Sequence, residues 1–229
     1  MKRQVQLILL VGSFVAGSAF GQIADFYFYK ITPGKNEEAY SLLSEATDLG
    51  DKTGMNIIAH QQSLGPGGEA VVSWIELYDD AADRAKTRYK GEEWAAYFEK
   101  WYAQTALRPL NSYSMTALDD IEPGVYVIDS YTWSPKPNMF DETLSAMLDV
   151  KEIFEEAGYK VDIWRHGVGG TGHLQFVMLS DSWEDRAKNE KSILNDPRWI
   201  AMEPIWWDSR ELADPVESSL MYNIKLESE

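Results

Sequence analysis

The sequence predicts an α+β fold in which one β-α-β-β-α-β unit is written twice, the two copies packed sheet to sheet. Three observations predict it. The tetrapeptide DRAK occurs at Asp83–Lys86 and again at Asp185–Lys188. Upstream of each lies a β-rich run, a glycine-rich turn and a second β-rich run. Paired features of the two copies also keep an offset that drifts only from 102 to 106 residues along the chain. Four shared letters are weak evidence among 229 residues. A whole order of elements at a near-constant offset marks an internal repeat.

The N-terminus is set apart from the fold. Lys2 and Arg3 give a positive start, Val5–Ala16 is apolar apart from Gln6 and Ser13, and Ala19 and Gly21 place small residues at a cleavage-like site. This is the layout of a secretory signal peptide, and its apolar core is too short to span a bilayer. The expected division is a signal at 1–21, a first repeat at 22–121 and a second at 122–229, with a periplasmic or extracellular mature chain that starts at Gln22.

Each repeat opens with a strand rich in aromatic and β-branched residues, FYFYKITP (Phe26–Pro33) and IDSYTWSP (Ile128–Pro135). A helix follows. Ala39, Leu42, Leu43, Ala46 and Leu49 fall on one face before Gly54, and Leu144, Met147, Leu148, Ile153 and Phe154 do so before Gly158. The hairpins come next: Asn56–Ser63 with Ala70–Leu77, and Lys160–His166 with His173–Ser180. DRAK then reads as the start of a helix, capped by Asp80 in the first copy and by Asp181 with Glu184 in the second, its Arg and Lys solvated. GEEW (Gly91–Trp94) and DPRW (Asp196–Trp199) lead into aromatic helical stretches that stop near Pro109 and Pro204, the second being RWIAMEPIWWDSR (Arg198–Arg210). Ser112–Leu118 and Ser218–Leu226 are the closing strands.

Composition narrows the partners. Removing Lys2 and Arg3 leaves 19 basic against 37 acidic residues, a surface that repels nucleic acid. With no cysteine there is no disulfide and no thiolate metal site. No apolar run after the signal is long enough to cross a membrane. The glycine-rich turns GPGG and GVGGTG join strand to strand, so they lack the helix N-terminus that a phosphate site needs.

From Asp25 to about Leu226 the chain resembles the dimeric α/β-barrel superfamily, and within it the tandem NIPSNAP-like and antibiotic-biosynthesis-monooxygenase-like proteins. The resemblance rests on the element order, the early aromatic strand, the Trp-containing helical stretches and the duplication. It implies two ferredoxin-like units joined as a pseudodimer, with a ligand between sheet and helices or within the barrel. It also implies a choice among cofactor-free oxygenation, haem chemistry, isomerisation and modules without chemistry.

Strand alternation supplies the candidate site. His60 shares a face with Ile58 and Gln62, Trp74 and Glu76 share a face of the next strand, and Asp162, Trp164 and His166 share one in the second copy. Such polar and aromatic faces suit a ligand pocket. The expectation is a secreted protein that binds a small organic ligand, with monooxygenase-like activity independent of a cofactor. His60 and His166 are its candidate catalytic groups. Tyr27, Tyr29, Trp74 and Trp164 are its walls, and Glu76 or Asp162 orients an imidazole. No metal site is assigned and no cofactor is identified. His166 as a haem or metal ligand is one alternative, with His173 a lesser candidate. A non-catalytic interaction module with exposed aromatic residues is the other. Copies of the chain itself are the remaining expected partner, as a homo-oligomer.

Overall fold

A computed structural model describes residues 21–119, 121, 124–208 and 211–227. The expected signal segment, apart from Gly21, lies outside these residues. Each half runs β-α-β-β-α-α-β. The first comprises β1 (Ile23–Ile31), α1 (Asn36–Thr53), β2 (Asn56–Leu64), β3 (Val71–Tyr78), α2 (Ala81–Thr87), α3 (Glu92–Ala103) and β4 (Leu107–Ala117). The second comprises β5 (Val127–Pro135), α4 (Phe140–Glu156), β6 (Lys160–His166), β7 (Leu174–Ser180), α5 (Trp183–Ile193), α6 (Pro197–Asp208) and β8 (Ala213–Asn223).

The eight strands form one closed antiparallel barrel in the order β1-β3-β2-β8-β5-β7-β6-β4. Two seams join the halves. One pairs His60 with Asn223 and Gln61 with Tyr222, and the other pairs Met115 with His166 and Ala117 with Trp164. The inner face of each half-sheet thereby looks across the barrel at the other, and the outer faces carry the helices. Three cores result. Leu43, Trp74 and Trp94 lie in the first helix-side core, Met147, Phe154 and Phe176 in the second, and Met115, Trp164 and Met221 in the barrel.

Local chemistry explains most element ends. Gly54 closes α1 at φ 77°, a left-handed conformation that glycine adopts without steric cost. Asp80 caps α2, its carboxylate accepting from the backbone N–H groups of Ala82 and Asp83 at 2.7 and 2.8 Å. In the second half the cap is Ser182, which accepts from the Asp185 N–H at 3.0 Å, one residue beyond the expected Asp181. Leu148 is 45% exposed, so the buried stripe of α4 is Thr143, Met147, Val150, Ile153 and Phe154.

The closing strands start earlier than expected, at Leu107 and Ala213, and take in Pro109 and Pro215. Each proline sits where the register against the neighbouring strand shifts, between Phe28 and Tyr29 and between Thr132 and Trp133. A bulge tolerates a residue with no N–H to donate, which is why the pattern Arg-Pro-Leu belongs to a strand here. Pro204, expected near a helix end, lies inside α6. The side chains of Trp206 and Trp207 lie outside the described residues.

Phe176→Ala, which empties a site 2% exposed, should cost about 3–5 kcal/mol. Leu148→Ala on the exposed face of α4 should cost at most about 0.5 kcal/mol. Urea denaturation of the two variants checks the order, and a large loss for Leu148→Ala would contradict the placement of α4.

Candidate ligand site in the barrel

Alternation sends every second side chain of each strand inward. Phe26 and Phe28 come from β1, His60 and Gln62 from β2, Tyr113 from β4, Asp162 and Trp164 from β6, Gln175 from β7 and Ser219 from β8. They surround a cavity of about 220 Å³. Its aromatic wall is continuous. The Phe26 ring stacks on Tyr113 at 5.6 Å and meets Trp164 edge-on at 6.5 Å, and Phe28 lies 6.2 Å from Phe26.

The polar groups of the lining are mostly engaged. Ser130 and Ser219 share a hydrogen bond at 2.8 Å, and the Gln62 amide donates to the carbonyls of Pro66 and Gly68 at 2.9 and 3.0 Å. His60 is the exception. It is 2% exposed, and among the described residues neither ring nitrogen has a hydrogen-bond partner. Its cross-strand neighbour Ser73, also fully buried, has an unpartnered hydroxyl. Burial pushes the His60 pKa down to about 4, so at neutral pH the ring is uncharged, with one N–H to donate and one lone pair to offer. Leaving such groups dry and unpaired costs about 1–3 kcal/mol apiece unless a ligand or water completes them.

The structure divides the predicted site residues. His60, Asp162 and Trp164 line the barrel cavity together. His166 does not line it. Its ring stacks on Tyr113 at 4.6 Å and stands 5.7 Å from His173, one ring behind the wall, with Nε2 unpartnered and its pKa lowered to about 4 by burial and by His173. His60 and His166 therefore do not meet, because β2 and β6 stand on opposite sides of the ring.

Tyr27, Tyr29, Trp74 and Glu76 lie on the other face of the sheet, in the first helix-side core. Trp74 packs edge-on against Trp101 at 5.0 Å, and Tyr29 meets the same ring at 5.2 Å. Glu76, wholly buried, accepts hydrogen bonds from the Tyr78 hydroxyl at 2.7 Å and from the Tyr89 hydroxyl, with Arg88 Nε 3.4 Å away. Burial raises its pKa against the pull of these partners. The Arg88 guanidinium also donates to the Tyr27 hydroxyl, whose pKa is pushed up to about 12 by burial and by Glu76. Glu76 cannot orient His60. The hairpin register places His60 across from Ser73 and Glu76 across from Ile57.

Residues that the sequence did not flag complete the picture. The DRAK arginines are only partly solvated, their side chains 36% and 21% exposed, and each reaches a carboxylate in the sheet. Arg186 holds Asp129 of β5 in a two-pronged pair, Nε to Oδ2 at 2.7 Å and Nη2 to Oδ1 at 2.8 Å. Arg84 contacts Asp25 of β1 at 2.7 Å, a charge contact without hydrogen-bond alignment. The signal was present, since Asp-x-Tyr recurs in the opening strand of both copies. Phe26, Phe28 and Tyr113 are the other omissions, and the first two were written into the aromatic strand at the opposite parity from Tyr27 and Tyr29.

Haem does not fit here. A cavity of about 220 Å³ lies below the roughly 300–1,000 Å³ of ordinary ligand pockets and suits a molecule much smaller than haem, and His166, the expected haem ligand, stacks on Tyr113 outside its lining. Among the described residues no group of three or more His, Asp or Glu is placed to hold a metal ion.

No known family profile matches the chain, and no curated protein does. Solved structures do. A Fusobacterium nucleatum subsp. nucleatum protein named as a monooxygenase superposes with a TM-score of 0.61 at 12% identity, over 90% of this chain and 96% of that one. An anthrone oxidase-like protein gives 0.58 at 16% identity, covering 90% and 92%. A protein named as a chlorite dismutase gives 0.54 at 10% identity, covering 89% and 94%. The chain has the dimeric α/β-barrel fold. At these identities the likeness is one of fold, and both halves of the barrel come from a single chain.

Arg186→Ala, which strips Asp129 of its charged donor, should destabilise the protein by about 1.5–3 kcal/mol, whereas exposed Lys188→Ala stays within about 0.5 kcal/mol. Equal effects in thermal unfolding would refute the role given to the DRAK arginine. A second prediction concerns pH. The unfolded His60 binds a proton below about 6.5 and the folded one only below about 4, so its contribution to stability is present above pH 6.5 and is lost as pH falls to 4. The loss is on the order of 3 kcal/mol. The stability difference between His60→Leu and the unaltered protein, taken at pH 4 and pH 7, should shift by that order in favour of the variant. Other carboxylates titrate in this window and cancel in the comparison.

Proposed function

We propose that this chain is a secreted small-ligand protein whose ligand sits in the barrel, enclosed by Phe26, Phe28, Tyr113 and Trp164 and addressed by His60. One observation carries the reading: a wholly buried, uncharged imidazole with both nitrogens unpartnered faces an aromatic cavity of about 220 Å³. Such a group is what a site for a hydroxyl- or carbonyl-bearing ligand requires, and packing alone does not explain it. The interaction-module alternative rests on exposed aromatics, of which Tyr102 at 81% and Trp183 at 44% are examples, whereas Trp74, Trp94, Trp133, Trp164 and Trp199 are all at most 6% exposed and belong to the cores.

The finer part of the proposal is cofactor-independent monooxygenase-like chemistry, supported by the names of two structural relatives. A neutral imidazole at His60 can take a proton from an acidified C–H or O–H of the ligand, the ligand anion so formed offsetting the burial cost that holds the ring's pKa down. The electron-rich carbon so formed can itself reduce dioxygen. A CH2 group then becomes C=O, and the second oxygen atom leaves as water with the two hydrogens. Asp162, on the cavity wall, can accept a hydrogen bond from the ligand. Export through the N-terminal signal, and assembly into a homo-oligomer, belong to the same proposal.

Native mass spectrometry of the exported protein tests it. The expected result is a mature chain beginning at Gln22 that carries a small organic molecule, released by mild activation and absent from His60→Leu. Trp74→Phe, altered on the opposite face of the sheet, should keep it. A ligand-free protein, or one whose ligand survives His60→Leu, would overturn the barrel site.

A further inference from the structure

The second half holds another cavity, separate from the barrel, on the helix side of its sheet. It encloses about 160 Å³ between β5, β7 and helices α4, α5 and α6. Trp133, Phe154 and Phe176, all buried, form its depth, and exposed Glu190 and Leu194, with half-buried Glu203, stand at its mouth.

Two features define what it can take. The walls are aromatic. Tyr131 lies 5.9 Å from Trp133, while Phe154 lies 4.9 Å from Trp199 and 5.7 Å from Tyr159. The charge is negative. Asp129, Glu190 and Glu203 line the cavity against one cation, Arg186. Both prongs of that guanidinium are already held by Asp129, and it reaches Glu190 at 3.5 Å. Its charge is therefore spent within the wall. An entering anion would meet the carboxylates of Glu203 and of Glu190, the latter only loosely paired with Arg186, whereas a cation would be attracted by both.

We propose that this cavity binds a compact organic cation of the quaternary-ammonium class. Ring faces attract such a cation through their quadrupoles, and the carboxylates at the mouth add a Coulombic term that the strongly acidic chain reinforces at distance. Among the described residues the two halves differ here. In the first half the corresponding space, beside Trp74 and Glu76, is filled by Tyr89, whose backbone turns to φ 52° just after the end of α2. In the second half α5 runs on through Ile193 and supplies no such plug.

The test uses choline and its neutral isostere 3,3-dimethylbutan-1-ol as probes, by isothermal titration calorimetry and tryptophan fluorescence on the mature chain at low salt. Choline should bind saturably, and the neutral isostere about 10-fold or more weaker. Glu190→Gln combined with Glu203→Gln, both at the mouth and safe for folding, should weaken choline several-fold. The choline signal should persist in His60→Leu, which separates this cavity from the barrel. No saturable binding of choline at about 10 mM, equal affinity for the neutral isostere, or loss of the signal in His60→Leu would each overturn the proposal.

Discussion

A ring of eight strands has no free edge, and in this protein two short seams provide the closure. One runs through four paired positions between β2 and β8, the other through three between β4 and β6. Without them each half would be an open four-stranded sheet with helices on one face and a bare apolar face on the other. With them the bare faces become the wall of a shared interior, and the unpaired strand edges that invite aggregation disappear. The seams also decide where polar side chains stand. His60 is the first residue of the β2–β8 seam, and Trp164 the last of the β4–β6 seam. Both owe their place beside the cavity to the closure.

Closure also explains why the helix layer needs its own fastening. Strand-to-strand hydrogen bonds hold the barrel, but α2 and α5 are short and make few hydrogen bonds to it. The paired arginines supply the link, Arg84 to Asp25 and Arg186 to Asp129, each running from the helix to the opening strand of its own half. The recurrence of DRAK is a consequence. A helix start is set by Asp80 or Ser182, but the arginine one turn on reaches a carboxylate that lies in the sheet.

Much of the fold was legible because it rests on local signals repeated twice: alternation in Ile57–Gln62, the glycine turns, and the apolar stripe of α1. The candidate site was legible only in part, for a reason that is geometric. Alternation gives the two faces of a strand but not which face is inside, and the phase of one strand relative to the next is set by a register that no single strand reveals. The polar-aromatic faces of β2 and β3 were thus read as one site, although the register sets Glu76 and Trp74 behind the sheet from His60. In β1 the same uncertainty favoured Tyr27 and Tyr29 over Phe26 and Phe28, because polar aromatics look more like chemistry. Long-range partners such as Asp25 and Arg84 are set by tertiary contact, and only their recurrence in both copies could have paired them.

The two halves show how a duplicated scaffold diverges while its frame stays fixed. In the strand pairs, Asp25 faces Glu76 and Asp129 faces Met178, Tyr27 faces Trp74 and Tyr131 faces Phe176. At these positions the second acid, Glu76, and the larger ring, Trp74, thus belong to the first half. A buried glutamate demands donors, and Tyr78 and Tyr89 provide them, with the Arg88 guanidinium beside it as a charge contact. In that half α2 ends at Thr87 and the chain turns inward at Tyr89, whose hydroxyl meets Glu76 and whose ring fills the space under the helices. Met178 makes no such demand, and above it α5 continues through Ile193 over an open space. Glutamate in one half and methionine in the other thus go together with a helix that stops early and an inward-turned tyrosine on one side, and with a longer helix over an open space on the other.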